Sequence, residues 1–343
     1  MYGRTGVRAY GVRAGYGARM AVERRALLRE DDVHLADVRC RHAPPGWTEP
    51  RAAAVFGLVL VRRGLVRARI DGTERLLDAA SVYVERPGSE QRFAHPCGGD
   101  DYTEIVLSEP RVAAMLGGDP TVPDVAEGLV FVSRELALEH RLLLTRARRG
   151  GGAADPFETG ERTAVLAGRI LARTAPARAA SGRPRTVAAR RRLVDDARAA
   201  LDAEPTLGLE ALGRAVNCSP HHLSRVFSAT TGLSLTRYRN RLRLARVLDR
   251  LCEGERDLRL LASELGFSDQ AHMTRTVREV AGLPPGRLRE VLAGDRSGSR
   301  VSPPVRPGRR IRGAAEVVEA AEAVEPTLKA GPADLADGEV PHE

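Results

Sequence analysis

The side chains with most chemical reach fall in two places. Near the N-terminus, Cys40-x-His42 and His95-x-Cys97 each set a thiol two residues from an imidazole. On a strand that spacing puts both groups on one face, and two such pairs brought together could form a Cys2His2 zinc site. No CxxC accompanies them, so Cys40, His42, His95 and Cys97 read as ordinary strand and loop residues, with no metal expected. A metal-dependent oxygenase or isomerase would need a cluster of His and carboxylate ligands. Only His95 and Glu104 stand out in those strands, and no catalytic residues and no cofactor are expected.

The second place is a pair of matching segments. "LEALGRAVNCSPHHLSRVFSATTGLS" starts at Leu209 and "LRLLASELGFSDQAHMTRTVREVAGLP" at Leu258. Leu212 aligns with Leu261 and Ser219 with Ser268. One residue is then inserted in the second copy, after which His222-Leu223-Ser224-Arg225 matches His272-Met273-Thr274-Arg275. Each copy reads as short helix, turn, second helix. Ser219 and Ser268 are placed to cap the second helix, Pro220 suits its first position, and Gly232 and Gly282 suit its end. In a helix-turn-helix the second helix enters a major groove. Leu223 and Phe227 should face the core, as should Met273 and Val277, leaving His221, Ser224, Arg225 and Ser228 on the opposite face of one helix. On the other, Ala271, His272, Arg275 and Arg278 lie opposite the core, with Gln270 at the tip. Arg can donate two bonds to guanine, and Gln pairs similarly with adenine.

Between the copies, "LTRYRNRLRLARVLDRL" carries an apolar stripe of Tyr238, Leu242, Ala245 and Leu248, with Arg237, Arg239, Arg241, Arg243 and Arg246 largely outside it. A helix of ~15 residues is about 22 Å long, enough to hold two reading heads roughly one DNA turn apart. From Arg185 to Glu290 there are 19 Arg against 13 Asp plus Glu. Most of the chain's net charge of +9 therefore sits there, which favours an anionic partner. All but one of the basic residues are Arg, Lys329 being the exception. Arg richness alone therefore reflects coding bias as much as phosphate binding.

The matching residues are Leu223-Ser224-Arg225-Val226-Phe227, Gly232-Leu233-Ser234, Tyr238, Leu265-Gly266-Phe267-Ser268-Asp269-Gln270, His272, Thr274-Arg275 and Gly282-Leu283-Pro284-Pro285. Over about 100 residues this pattern resembles the DNA-binding domain of AraC/XylS-type transcription regulators. The resemblance implies two recognition helices in successive major grooves of double-stranded DNA. Carried over by position, the base-reading residues are His221, Ser224 and Arg225, then Gln270, Ala271, His272 and Arg275. Gly213 departs from the pattern, which usually has Ala there. Thr276-Val277 and Leu288 also depart, toward smaller or less aromatic core residues.

Upstream, "VFGLVLV" reads as a buried strand, and "LVRARI" alternates with period two before Asp71-Gly72, a tight hairpin turn. Short strands with Gly and Pro between them suggest a small antiparallel barrel or sandwich. "GLVLVRRGLVRARIDGTERLLDAASVYVERPGSEQRFAHP" is similar, more weakly, to the cupin-like sensing domains of the same family, which implies a small-molecule effector, a homodimer, or both. Two amphipathic segments follow, at 134–149 and 161–175, suited either to dimerisation or to packing on the sheet.

The expected architecture is α+β with two domains. A basic, disordered tail occupies 1–28, a small antiparallel β-barrel (cupin-like) with helices 29–175, and a linker 176–185. An all-α double helix-turn-helix domain fills 186–294, and a disordered tail 295–343. Four Cys in 343 residues make no disulfide framework. No apolar run reaches the ~20 residues of a membrane span, and the expected compartment is the cytoplasm. The expected function is site-specific transcription regulation, with RNA polymerase as a partner if the protein activates. Two other readings are a cupin-type metal-binding enzyme fused to a DNA anchor and a non-specific nucleoid-binding protein.

Overall fold

The computed structural model describes residues 8–13, 19–41, 46–117, 128–149, 155–174 and 184–293. The N-terminal half is built from strands β1 (Arg8–Arg13), β2 (Arg19–Arg29), β3 (Val33–Arg41), β4 (Arg51–Ala52), β5 (Phe56–Arg63), β6 (Val66–Ile70), β7 (Thr73–Leu77), β8 (Ser81–Glu85), β9 (Glu90–Ala94), β10 (Asp100–Leu107) and β11 (Gly128–Phe131), with helix α1 (Glu109–Leu116) before the last. Among the described residues they form two antiparallel sheets, one ordered β1-β2-β3-β10-β5-β8-β11 and the other β4-β9-β6-β7. This is the strand-built half of the expected α+β fold, with residues of both sheets bordering one cavity between them. The β6–β7 hairpin turns at Asp71 and Gly72, with φ of 44° and 76°, as the sequence predicts.

The segment expected to be a disordered tail is a difference. β1 and β2 pair with each other, and β2 pairs with β3. The reason is a period-two pattern hidden by Arg: Val22, Arg24 and Ala26 alternate with exposed Glu23 and Arg25, and a bulge at Leu27 then turns Leu28 to the other face, where it packs with Leu35. Residues 1–7 and 14–18, most of the expected linker and the whole tail from 295 lie outside the described residues.

Helices α2 (Arg134–Arg149) and α3 (Pro156–Leu171) follow. α2 is apolar on two faces. Leu136, Leu143 and Ala147 join the sheet core with Leu35, Leu58 and Ile105. Leu138 and Leu142 join a second core made by the C-terminal helices. Packing therefore accounts for α2's apolar residues.

The C-terminal half is helical: α4 (Pro184–Ala203), α5 (Leu209–Ala215), α6 (Pro220–Thr231), α7 (Leu235–Glu253), α8 (Leu258–Glu264), α9 (Gln270–Ala281) and α10 (Pro285–Ala293). The 19 residues of α7 span about 28 Å and serve two cores. Tyr238 and Leu242 pack with α4, α5 and α6, while Leu244, Val247, Leu248 and Leu251 pack with α8, α9 and α10. This gives each helix-turn-helix its own core on one shared rod. Arg243 does not stand outside the stripe as expected. It is 5% exposed and donates to the carbonyls of Pro205 and Gly266 at 3.0 and 2.7 Å. Its guanidinium lies 4.9 Å from the Phe267 ring centre.

Candidate functional site

In the first unit, α6 starts at a Ser219 cap whose hydroxyl accepts from the His222 amide at 3.3 Å, with Pro220 next, and ends at a left-handed Gly232. Leu223, Val226 and Phe227 are buried, so the helix has one fixed orientation. That leaves His221, His222, Arg225 and Ser228 exposed. Ser224, expected on the same face, is half-buried and borders a small crevice with Leu212 and Leu235. His222, left out of the expected reading set, stands outward, its Nδ1 3.2 Å from Nη2 of Arg225.

In the second unit the cap is Asp269 rather than Ser268. Its carboxylate accepts from the His272 amide at 2.6 Å. That amide above all, with Arg275 and the Ser268 hydroxyl, holds the Asp269 pKa below its ordinary value. The inserted residue explains the shift. Beyond it the copies are offset by one more, so the partner of Ser219 is Asp269. Ser268 instead donates its backbone N–H to Nδ1 of His272 at 3.3 Å. The neutral ring's proton then sits on Nε2. The imidazole also meets Phe267 edge-on, with centres 5.5 Å apart. Met273 and Val277 are buried, as expected. Gln270, Ala271 and Arg275 are exposed and His272 half-buried. The first three border an open depression of about 820 Å³, together with Arg259, Asp269 and Thr274. Arg259 and Thr274 were not among the expected residues. Arg259 sits on the preceding helix, and only the tertiary fold brings it alongside.

The sheet half holds a separate cavity of about 470 Å³ between the two sheets. Register places Cys40 opposite Asp100, and Val38 opposite Tyr102, on β3 and β10. All four border the cavity. Nδ1 of His95 lies 2.5 Å from Oδ1 of Asp100, and Glu104 pairs with Arg24. Burial pushes the Cys40 thiol up to about 12. The Cys/His set does not assemble: Cys40 and His95 border this cavity, Cys97 is exposed elsewhere, and His42 lies outside the described residues. Among the described residues no three His, Cys, Asp or Glu side chains are grouped to hold a metal ion.

The two halves meet through a buried polar cluster. Arg198 of α4, 1% exposed, donates through Nε to Oδ2 of Asp78 at 2.9 Å and through Nη2 to Ser81 Oγ at 3.2 Å. The Tyr238 hydroxyl of α7 donates to the same Asp78 oxygen. Burial alone would lower the Arg198 pKa, but Asp78, Tyr238 and Asp195 outweigh it and raise it. The Phe131 ring lies 5.3 Å from the guanidinium.

Residues 212–290 match a helix-turn-helix domain family. Over 86 residues, 25% of this chain and 68% of the other, the sequence is 31% identical to the multiple antibiotic resistance protein MarA of Escherichia coli (strain K12). It matches MarA of Salmonella typhimurium to the same extent. Among solved structures, the C-terminal domain of AraT, a response regulator from Geobacillus stearothermophilus, is 23% identical over 28% of this chain and 83% of that one, with a TM-score of 0.28. ToxT from Vibrio cholerae is 8% identical over 77% of this chain and 100% of that one, at 0.31. At such scores these two overlays carry nothing further about this chain.

Proposed function

This chain belongs to the AraC/XylS-type family of DNA-binding transcription regulators, and from that premise we propose that α6 and α9 read successive major grooves of one operator. Arg225 reads bases from the first helix; Gln270, Ala271 and Arg275 do so from the second. His221 and Ser224 flank Arg225. His272 contributes through Nε2, since its Nδ1 is engaged at the cap. The observation that carries this reading is the pairing of two similarly built helix-turn-helix cores on the single helix α7. Each presents an Arg at the same place on its exposed face.

The sheet half senses a small effector through its cavity, pairs two copies, or both. We assign it no catalysis. The site of action is the cytoplasm, on the nucleoid, with RNA polymerase as a further partner if transcription is raised. Among the described residues no helix is long and apolar enough to cross a membrane.

The test is selection from a random-sequence DNA pool with the full chain. Fluorescence anisotropy on the enriched site would follow, against scrambled competitor, at two salt concentrations. A motif bound ~10³-fold or more over competitor supports the reading, with affinity falling steeply as salt rises because phosphate contacts release counterions. Equal affinity for all sequences, with no motif enriched, contradicts it and favours a DNA-coating role.

A further inference from the structure

Arg239, Arg243 and Arg246 recur at helical spacing along α7, so they share one face. All three grip the stretch that joins α4 to α5, in the first unit. Arg239 donates through Nη1 to the Leu207 carbonyl at 3.2 Å. Arg243 donates through Nη2 to the Pro205 carbonyl at 3.0 Å, and Arg246 through Nη2 to the Asp202 carboxylate at 2.6 Å. Arg243 also crosses to the second unit. The same Nη2 donates to the Gly266 carbonyl at 2.7 Å, in the turn between α8 and α9. Its guanidinium lies 4.9 Å from the ring centre of Phe267, the ring that meets the His272 imidazole edge-on in the first turn of α9. The two turns also meet directly. A Cβ at Gly266 would come within 2.7 Å of Thr206 Cγ2 and 3.0 Å of Nη2 of Arg243, so only glycine leaves room for this junction. None of the described partners of Arg243 is a carboxylate. A buried cation is costly unless its hydrogen bonds are made, and a hydrocarbon side chain would avoid that cost. A planar guanidinium, unlike an ammonium, can donate in its own plane and stack on a ring at once.

We propose that Arg243 is a positioning residue for operator recognition: by joining the two turns to α7 it fixes the separation and phase of α6 and α9. Arg239 and Arg246 hold the first unit to α7, and Arg243 holds the two units to each other. Arg243 therefore acts on DNA through the recognition helices and not as one of the charges that meet phosphate. The inference rests on the two-head reading proposed above, and its first measurement needs no DNA, so the two can fail separately.

The test is the α6-to-α9 distance in the full chain by pulsed electron paramagnetic resonance, with spin-labelled unnatural amino acids at the exposed positions Thr230 and Glu279. The unmodified sequence should give one narrow distance. Arg243→Met should lose it, while Arg246→Met, which cuts a bond confined to the first unit, should keep it. A distribution unchanged in Arg243→Met, or broadened as much in Arg246→Met, overturns the proposal. If circular dichroism shows Arg243→Met unfolded, Arg243→Lys replaces it: the charge stays, the stacked fork goes, and an unchanged distribution again overturns the proposal. Affinity is then measured on operators with one or two base pairs inserted between the half-sites. Arg243→Met should lose about tenfold of the discrimination against these spacings, which corresponds to about 1.4 kcal/mol. The slope of log affinity against log salt should stay as it was. A slope reduced by about one would mark a phosphate contact and overturn the positioning role. A narrow distance with affinity indifferent to spacing in the unmodified sequence would refute the two-head reading and leave the junction between the units standing.

Discussion

At the turn of the first helix-turn-helix unit, Gly213 lies so close to the Cys218 carbonyl that an added Cβ would sit 2.7 Å from that oxygen, while Asn217 takes a φ of 51°. At the aligned places in the second unit stand Ala262 and Gly266, the latter with φ 71°. The copies have exchanged which position carries glycine. One turn is tighter and tolerates a strained Asn, since Asn enters the left-handed region more readily than most residues. The other admits a Cβ at Ala262 and places glycine at 266, where φ is positive and an added Cβ would sit 2.7 Å from Thr206. The departure at Gly213 is therefore a packing requirement and not a flaw in the helix.

The units also differ in what braces them. The first rests on Tyr238, whose ring packs on Phe227 with centres 5.2 Å apart and whose hydroxyl reaches Asp78 of the sheet half. The second rests on Leu138 and Leu142 of α2, and Arg134 of α2 donates to the Glu279 carbonyl at 3.2 Å. One brace is a buried ion pair, the other mainly hydrocarbon. The difference teaches that the sheet half holds both reading heads, by unlike forces.

Breaking the braces gives the largest expected effects. Asp78→Ala removes the buried carboxylate from Arg198 and leaves it only Asp195, 3.0 Å from Nη1, and should cost about 3–5 kcal/mol, read as a lowered denaturant midpoint. Leu138→Ala leaves a cavity and should cost about 2–5 kcal/mol. Protection from hydrogen exchange localises the damage: Asp78→Ala should expose amides of α6, and Leu138→Ala those of α9. Loss of protection in the opposite unit would break the comparison.

Next come the residues proposed to read bases. Arg225→Ala and Arg275→Ala should each cost about 1–3 kcal/mol of operator binding and relax discrimination at different base pairs, seen by competition against single-base operator variants. Full affinity and selectivity in either variant would place that helix outside the groove. Gly213→Ala should destabilise by about 1 kcal/mol although alanine is the better helix former, read as a fall in Tm. A gain instead would show that the first turn admits a Cβ at this position, as the second does at Ala262. The smallest effect concerns the caps. Asp269→Asn keeps an acceptor at the cap but removes a negative charge from the helix end proposed to enter the groove. Operator affinity should rise a few-fold at low salt, and the gain should vanish at high salt.

Much of this arrangement is legible in local sequence. The Leu223/Phe227 and Met273/Val277 spacings orient both recognition helices, and Ser219, Gly232 and Gly282 mark their ends. The Asp269 cap was legible too, because the offset after the inserted residue carries Ser219 onto it. Ser268, one residue before it, is chemically as able to cap, and only the register of the helix separates the two. Ser224 and His222 exchange prominence because a helical face read from two core residues leaves its centre uncertain; Val226 fixes it. β2 is masked by arginines that sit at both inward and outward positions. The Asp78–Arg198–Tyr238 cluster is not legible: its members are separated by up to 160 residues, and no period links the turn between β7 and β8 to two helices.

The central claim is that both helices read one duplex at a fixed separation set by α7. The most direct measurement is anisotropy on the selected operator beside the same operator with about half a helical turn (~5 base pairs) inserted between its half-sites. The account predicts that the insertion costs most of the site-specific affinity, and that Arg275→Ala then loses little more. Unchanged affinity for the lengthened operator would mean that the two heads do not act on one duplex together.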